Sequence, residues 1–223
     1  SWLSFLLNMM GCEVLGFSLP LASNPNHFKL LNLGIKQEFG DIRNLESLQK
    51  AIADFKPEIV FHMAAQPIVK ASYVDPIETY SINVMGTLNL LQACRNVSTT
   101  HTFVNITTDK VYENREWIYG YREIDQLGGK DPYSSSKACV ELMSKSFMNA
   151  FEPTFKLINV RAGNVIGGGD WSDYRLMPDL MDSAFNAKQT IIRYPSAIRP
   201  WQHVLDCLFA YLLICQKQGE EKF

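Results

Sequence analysis

Short apolar runs alternate along the chain with longer stretches whose apolar residues recur every three or four positions. The runs at 12–17, 37–39, 59–61, 102–106 and 156–160 are too short for helices and little interrupted by charge. That is the pattern of strands covered on both faces. The opening residues are helical. Residues 44–55 place Leu45, Leu48 and Ile52 at helical intervals behind Asn44, a residue suited to cap a helix start, and Pro57 follows as a stop. Residues 77–96 form a longer helix with Leu88, Leu91 and Cys94 on one side, and 134–151 another. Strands alternating with amphipathic helices predict a doubly wound α/β fold around a parallel sheet.

After Val160 the texture changes. Residues 161–173 are rich in glycine and polar side chains. A helix over 176–187, a strand near 191–192 and an apolar helix over 204–216 are expected next. The chain therefore divides near 160. Residues 1–160 read as a Rossmann-like domain and 161–223 as a partial, smaller region interleaved with its last elements.

Composition narrows the picture by exclusion. The 223 residues exceed one average domain, and 47% apolar with 20% charged residues is ordinary for a folded chain. Lys and Arg number 21 against 23 Asp and Glu, a net charge of −2. No strong field draws the chain to nucleic acid or an anionic membrane. The five cysteines are scattered, with no CxxC pair or Cys/His cluster, so no metal site is expected. Single buried thiols suit a reducing compartment, which points to the cytoplasm. The apolar start, SWLSFLLNMMGC, lacks a basic leader and is shorter than the roughly 20 residues a bilayer span needs. It reads as a buried helix.

Ligands of doubly wound folds bind beyond the carboxyl ends of the strands. Four such ends carry notable residues: Gly40-Asp41-Ile42, 62–66 (HMAAQ), Thr107-Thr108-Asp109-Lys110 and 161–164 (RAGN). Downstream of the third lies Tyr133-Ser-Ser-Ser-Lys137 at a helix start. Tyr and Lys four apart share a helix face. An ammonium beside a phenol lowers the phenol's pKa and makes it a usable base near neutrality.

This set of residues resembles the extended short-chain dehydrogenase/reductase superfamily, within it the NAD-dependent epimerase/dehydratase family. The runs SWLS (1–4), GFSLP (16–20), TDKVYEN (108–114), LGGKDPY (127–133) and IRPWQHVL (198–205) resemble its sugar-nucleotide 4,6-dehydratases, in particular those acting on CDP-glucose. The resemblance runs along essentially the whole chain. It implies NAD as cofactor and conversion of CDP-glucose to a 4-keto-6-deoxy sugar for deoxysugars of surface polysaccharide such as lipopolysaccharide O-antigen. It also implies a homodimer or dimer of dimers, formed through the 77–96 and 134–151 helices.

The same resemblance implies roles. Tyr133 is the base on the C4 hydroxyl, Lys137 tunes that phenol and holds the nicotinamide ribose, and Thr108 bonds the reacting oxygen. Asp109 matches the acid at the departing C6 hydroxyl, and Lys110 the position that removes the C5 proton. A protonated lysine cannot accept a proton, so Lys110 must be neutral with substrate bound, through burial or a nearby cation such as Lys137. Asp41 and Ile42 match adenine contacts. Ala64, Ala65 and Gln66 match a tight turn beside the cofactor. Ser18 stands where an acid usually binds the ribose, which leaves NAD against NADP open. Asn83 matches a structural bridge beneath the site, and His62 is read as a core histidine. Asn164 and Arg199 match diphosphate contacts, with Arg175 and Arg193 as further candidates.

Three alternatives stand beside this reading: a sugar-nucleotide epimerase sharing YxxxK, a catalytically silent NAD-binding scaffold, and a dehydratase of the same superfamily acting on another sugar nucleotide. The proton-transfer pair Asp109-Lys110 argues against the first, and the filled catalytic positions against the second. The chain holds no GxxGxxG-type run and does not begin with Met. It is therefore expected to be a piece that lacks the family's first strand and phosphate loop and the C-terminal end, and to be inactive by itself.

Overall fold

A computed structural model describes residues 1–20, 24–192 and 194–217. In chain order the elements are α1 (Trp2–Met9), β1 (Leu15–Ser18), α2 (His27–Leu31), β2 (Lys36–Phe39), α3 (Leu45–Phe55) and β3 (Ile59–His62). There follow α4 (Val69–Val74), α5 (Pro76–Tyr80), a π-helical turn (Ser81–Met85), α6 (Gly86–Arg95), β4 (Thr102–Ile106) and a 3-10 turn (Asp109–Val111). The rest comprises α7 (Pro132–Phe151), β5 (Lys156–Val160), β6 (Asn164–Ile166), α8 (Leu176–Phe185), β7 (Trp201–His203) and α9 (Val204–Lys217).

Among the described residues the strands pair in parallel, as the alternating pattern requires. The strands form separate ladders, β1-β2, β3-β4-β5 and β6-β7. In the central ladder Ile59 pairs with Thr102 and Thr102 with Lys156, so all three strands finish at one edge, after His62, Ile106 and Val160. Among the described residues β1 bonds only to β2 and β3 only to β4, so each keeps one unpaired edge.

Successive side chains along the central ladder face opposite ways and meet two different apolar layers. Val60, Phe103 and Leu157 pack with Ile42, Leu48, Ile52, Leu91, Cys94 and Phe147 from the α3, α6 and α7 side. Phe61, Ile106 and Val160 pack with Leu3 of α1 and Cys207, Leu208 and Tyr211 of α9. Helices on both faces make the fold Rossmann-like, as the sequence pattern predicts. Phe103 is fully buried and stacks on Phe155 at 5.7 Å. Cutting it to Ala removes about 3–5 kcal/mol.

Several boundaries differ from expectation. The first strand begins at Leu15 because the amide of Cys12 still bonds the Leu7 carbonyl, 3.0 Å, at the end of α1. The helix expected over 77–96 is interrupted by the π-helical turn, which seats Asn83 toward the site. Residues 191–192 are not a strand; both isoleucines are exposed, and the strand pair of this region is β6 with β7. The short helices α2 and α4 carry no periodic signal long enough to read.

Candidate active site

The site is organised by the start of α7. Gly129 turns the chain at φ +123, and a Cβ there would lie 2.5 Å from the Ser135 amide nitrogen, so the turn needs glycine. Asp131 caps the helix, accepting from the Ser134 amide at 2.9 Å and its hydroxyl at 2.7 Å, and Pro132 occupies the first turn. This brings Tyr133, Lys137 and Glu141, spaced one helical turn apart, against the end of β4. All three are buried.

Each meets a different residue of that strand end. The Lys137 ammonium donates to the Ile106 carbonyl, 3.0 Å. The Thr107 hydroxyl donates to Glu141 Oε1, 2.7 Å. The Thr108 side chain lies near the Tyr133 phenol and opposes the rise in its pKa. Thr108 also donates to Asp109 Oδ1, 3.1 Å, and caps the 3-10 turn carrying Asp109 and Lys110. The amide of Thr107 bonds the Val160 carbonyl and that of Asp109 the Ala162 carbonyl, so the strand end is held along the end of β5.

The electrostatics follow from burial. Lys137 is lowered to about 8, chiefly because burial disfavours its charge, while Glu141 pulls the other way. His62, buried and bonded to Thr87 Oγ1 at 2.8 Å, falls to about 3, again first by burial and then through Lys137. It is a satisfied core histidine. Tyr133 is raised, first by burial; the Thr108 side chain and the Arg175 charge oppose that, and Asp109 and Asp131 add to it. Burial outweighs the lowering of the phenol expected from Lys137, whose ammonium donates to the Ile106 carbonyl. Lys110 is exposed, so the protein alone does not supply the burial expected for it.

The other sequence candidates fall into groups. Ser18 and Asp41 lie at neighbouring strand ends, where the Gly40 amide bonds the Ser18 carbonyl, 2.9 Å. The Ser18 hydroxyl turns to the Leu19 carbonyl, and the Asp41 carboxylate takes both a backbone and a guanidinium bond from Arg43, which holds it below the ordinary carboxylate range. The Ile42 side chain is buried against Gly86 in the core, leaving its backbone for a ligand. Ala64 is exposed and Ala65 half-buried beyond β3. The Gln66 side chain is used within the turn, bonding Thr79 and the Ile68 amide. Asn83 bridges the Gln66 backbone to Ser136, beneath Tyr133.

Arg175 comes to Tyr133 from the start of α8; its Nε is buried with no hydrogen-bond partner. Asn164 is tied to the Pro200 carbonyl, 3.0 Å, beside exposed Arg199, whose guanidinium bonds the Ile198 carbonyl. Arg193 lies outside the described residues. Sequence reasoning missed Glu141 and its pairing with Arg161, which bonds both carboxylate oxygens through Nε at 2.9 and 3.1 Å. The readable signal was an acid one turn beyond Lys137. Among the described residues no group of three His, Cys, Asp or Glu is placed to hold a metal ion, and no helix is long and apolar enough to cross a membrane.

Residues 3–223 match the family model of the NAD dependent epimerase/dehydratase family. The chain belongs to that family. Within this epimerase/dehydratase family it is 51% identical, over 97% of its length, to the CDP-glucose 4,6-dehydratase of Salmonella typhimurium. It spans 63% of that relative's length. Solved structures of the same fold include UDP-glucose 4-epimerase from Thermotoga maritima with UDP-glucose, at TM-score 0.85 and 21% identity, covering 96% of this chain and 68% of that one. UDP-glucose 4-epimerase from Thermus thermophilus in complex with NAD matches at TM-score 0.80 and 25% identity, over 95% and 69%.

Proposed function

We propose that the chain forms part of an NAD-using sugar-nucleotide 4,6-dehydratase acting on CDP-glucose. The observation that carries this reading is the meeting of Thr108 and Asp109 with Tyr133 and Lys137 at one strand end, in a chain half identical to a CDP-glucose 4,6-dehydratase. An epimerase needs the Tyr–Lys pair but no acid and base for eliminating water; the Asp109-Lys110 turn favours the dehydratase.

The residues present fit a dinucleotide. Small Ala64 and Ala65 leave room for close approach beyond β3, Asp41 and Ser18 offer polar groups beyond β2 and β1, and Lys137 reaches the end of β4, the strand beside β3. Bound NAD supplies a place for hydride taken from sugar C4 and returned at C6. In this reading Tyr133 takes the C4 hydroxyl proton while Thr108 steadies that oxygen. Lys137 holds the nicotinamide ribose. Lys110 removes the C5 proton, its exposed amine being covered by the sugar, and Asp109 protonates the leaving C6 hydroxyl. Arg175, with its buried unpaired Nε, and Arg199 beside Asn164 take the diphosphate, a role guanidinium forks suit; Arg193 is a further candidate. Residues 1–160 then serve the cofactor and 161–223 the sugar nucleotide.

A second copy covers exposed Ile77 on α5 and Leu142 on α7. The five cysteines, all free, suit a cytoplasmic enzyme. The test is incubation of the full-length protein with CDP-glucose and NAD. A product with the alkaline ultraviolet absorbance of a 4-keto sugar, lost in Tyr133→Phe, supports the reading. A C4 epimer without that absorbance overturns it.

A further inference from the structure

We infer that Glu141 is a positioning residue that sets where Tyr133 and Lys137 stand against the end of β4; the inference rests on the dehydratase reading of that site. One helix face meets three consecutive residues of the strand end: Lys137 donates to the Ile106 carbonyl, Glu141 accepts from the Thr107 hydroxyl, and Tyr133 stands near Thr108. Glu141 is the anchor of the three. Its carboxylate is almost wholly buried and takes the Thr107 hydroxyl together with the Arg161 guanidinium. Arg161 follows β5, also donates to the Glu123 carbonyl at 3.1 Å, and lies 4.7 Å over the Tyr112 ring. One carboxylate therefore fixes α7 to the ends of both β4 and β5. A helix free to slide there would carry the phenol away from the atom it must reach, and a misplacement of about 1 Å can cost on the order of 100-fold in rate.

Glu141 is also the anion that acts on the Lys137 ammonium. The groups around Lys137 on the packed elements do not replace it. From β3 comes His62, kept uncharged. From α4 and α5, Lys70 lies over the Tyr174 ring at 4.0 Å and Glu78 pairs with Arg43 at 3.8 Å. Asp75 caps α5. The π-helical turn offers neutral Asn83, and the 3-10 turn offers Asp109, which acts on Tyr133. On β5 the charged residue is Lys156, exposed at its start. Arg161 is engaged by Glu141 itself.

The experiment compares Glu141→Gln, Thr107→Val and Tyr133→Phe in the full-length protein. Glu141→Gln removes the charge and is expected to lower kcat by about 10- to 100-fold with KM for CDP-glucose little changed. It also moves the alkaline limb of the kcat profile to lower pH, because Lys137 loses the anion that holds its proton. Thr107→Val removes the strand bond and keeps the charge, so kcat falls while the limb stays; it serves equally if Glu141→Gln does not fold. Wild-type kcat and limb in both variants, with Tyr133→Phe inactive, overturn the inference and leave the dehydratase reading intact. If the wild type does not process CDP-glucose, that reading fails. The inference is then judged by the pH-dependent acetylation of Lys137, which must shift to lower pH in Glu141→Gln and overturns it by standing still.

Discussion

Lys137 is a buried cation, and replacing it tests that assignment through stability. Its pKa falls from 10.5 in the unfolded chain to about 8 in the folded one, chiefly by burial. The sign follows directly. Between those two values the unfolded chain binds more protons than the folded one, so stability rises with pH across that window. Below the window the folded protein bears the full penalty of a buried charge; above it there is none. At about 1.36 kcal/mol per pH unit, the drop from 10.5 to about 8 corresponds to about 3 kcal/mol. Lys137→Met removes the titration and leaves the Ile106 carbonyl without this donor, which costs about 1–3 kcal/mol. At pH 7 the two effects nearly cancel, and the variant is about as stable as the wild type although inactive. Urea unfolding of both proteins from pH 7 to pH 11 reads the prediction. The wild type should gain about 3 kcal/mol on the variant across the window. His62 titrates far below it, so it does not contribute to the difference. A difference that stays flat with pH, or a variant strongly destabilised at pH 7, refutes the reasoning.

Three other expectations can be checked separately. Gly129→Ala forces a Cβ against the Ser135 amide at a left-handed φ and is expected to cost about 1–3 kcal/mol, read as a lowered Tm with activity lost before folding. Lys110→Ala should abolish solvent-deuterium exchange at C5 while leaving NAD binding unchanged; near-normal exchange removes Lys110 from the role of base. Leu142→Asp, on the exposed side of α7, should convert a dimer to a monomer in light scattering, and a dimer that persists places the interface elsewhere.

The strands at Thr102–Ile106 and Lys156–Val160 were legible to the residue because each is a short, mostly apolar run with no helical spacing, buried along β4 and largely half-buried along β5. The YxxxK pair was legible because its spacing is local. Glu141 with Arg161 was not: the partners are 20 residues apart and meet only after α7 lies across the strand ends. The π-helical turn was hidden because apolar periodicity continues through it, and only its Asn83 bridge to Ser136 gives it a reason. At Ile42 the sequence did not say which part faces outward: its apolar side chain is drawn into the core against Gly86, leaving its backbone at the strand end. The aromatic stack of Tyr112 on Tyr121, with Trp117 against it, also went unread, because nothing in the polar 113–130 stretch orders its rings before the turn closes.

The central claim is that this strand end moves a hydride from C4 to C6 and replaces the C5 proton. The most direct measurement gives the full-length protein CDP-glucose carrying deuterium at C4, in ordinary water, and locates the label by mass spectrometry and NMR. The account predicts a 4-keto-6-deoxy product with deuterium at C6. Label returned to C4 of an epimerised sugar, or a keto product without deuterium at C6, contradicts it.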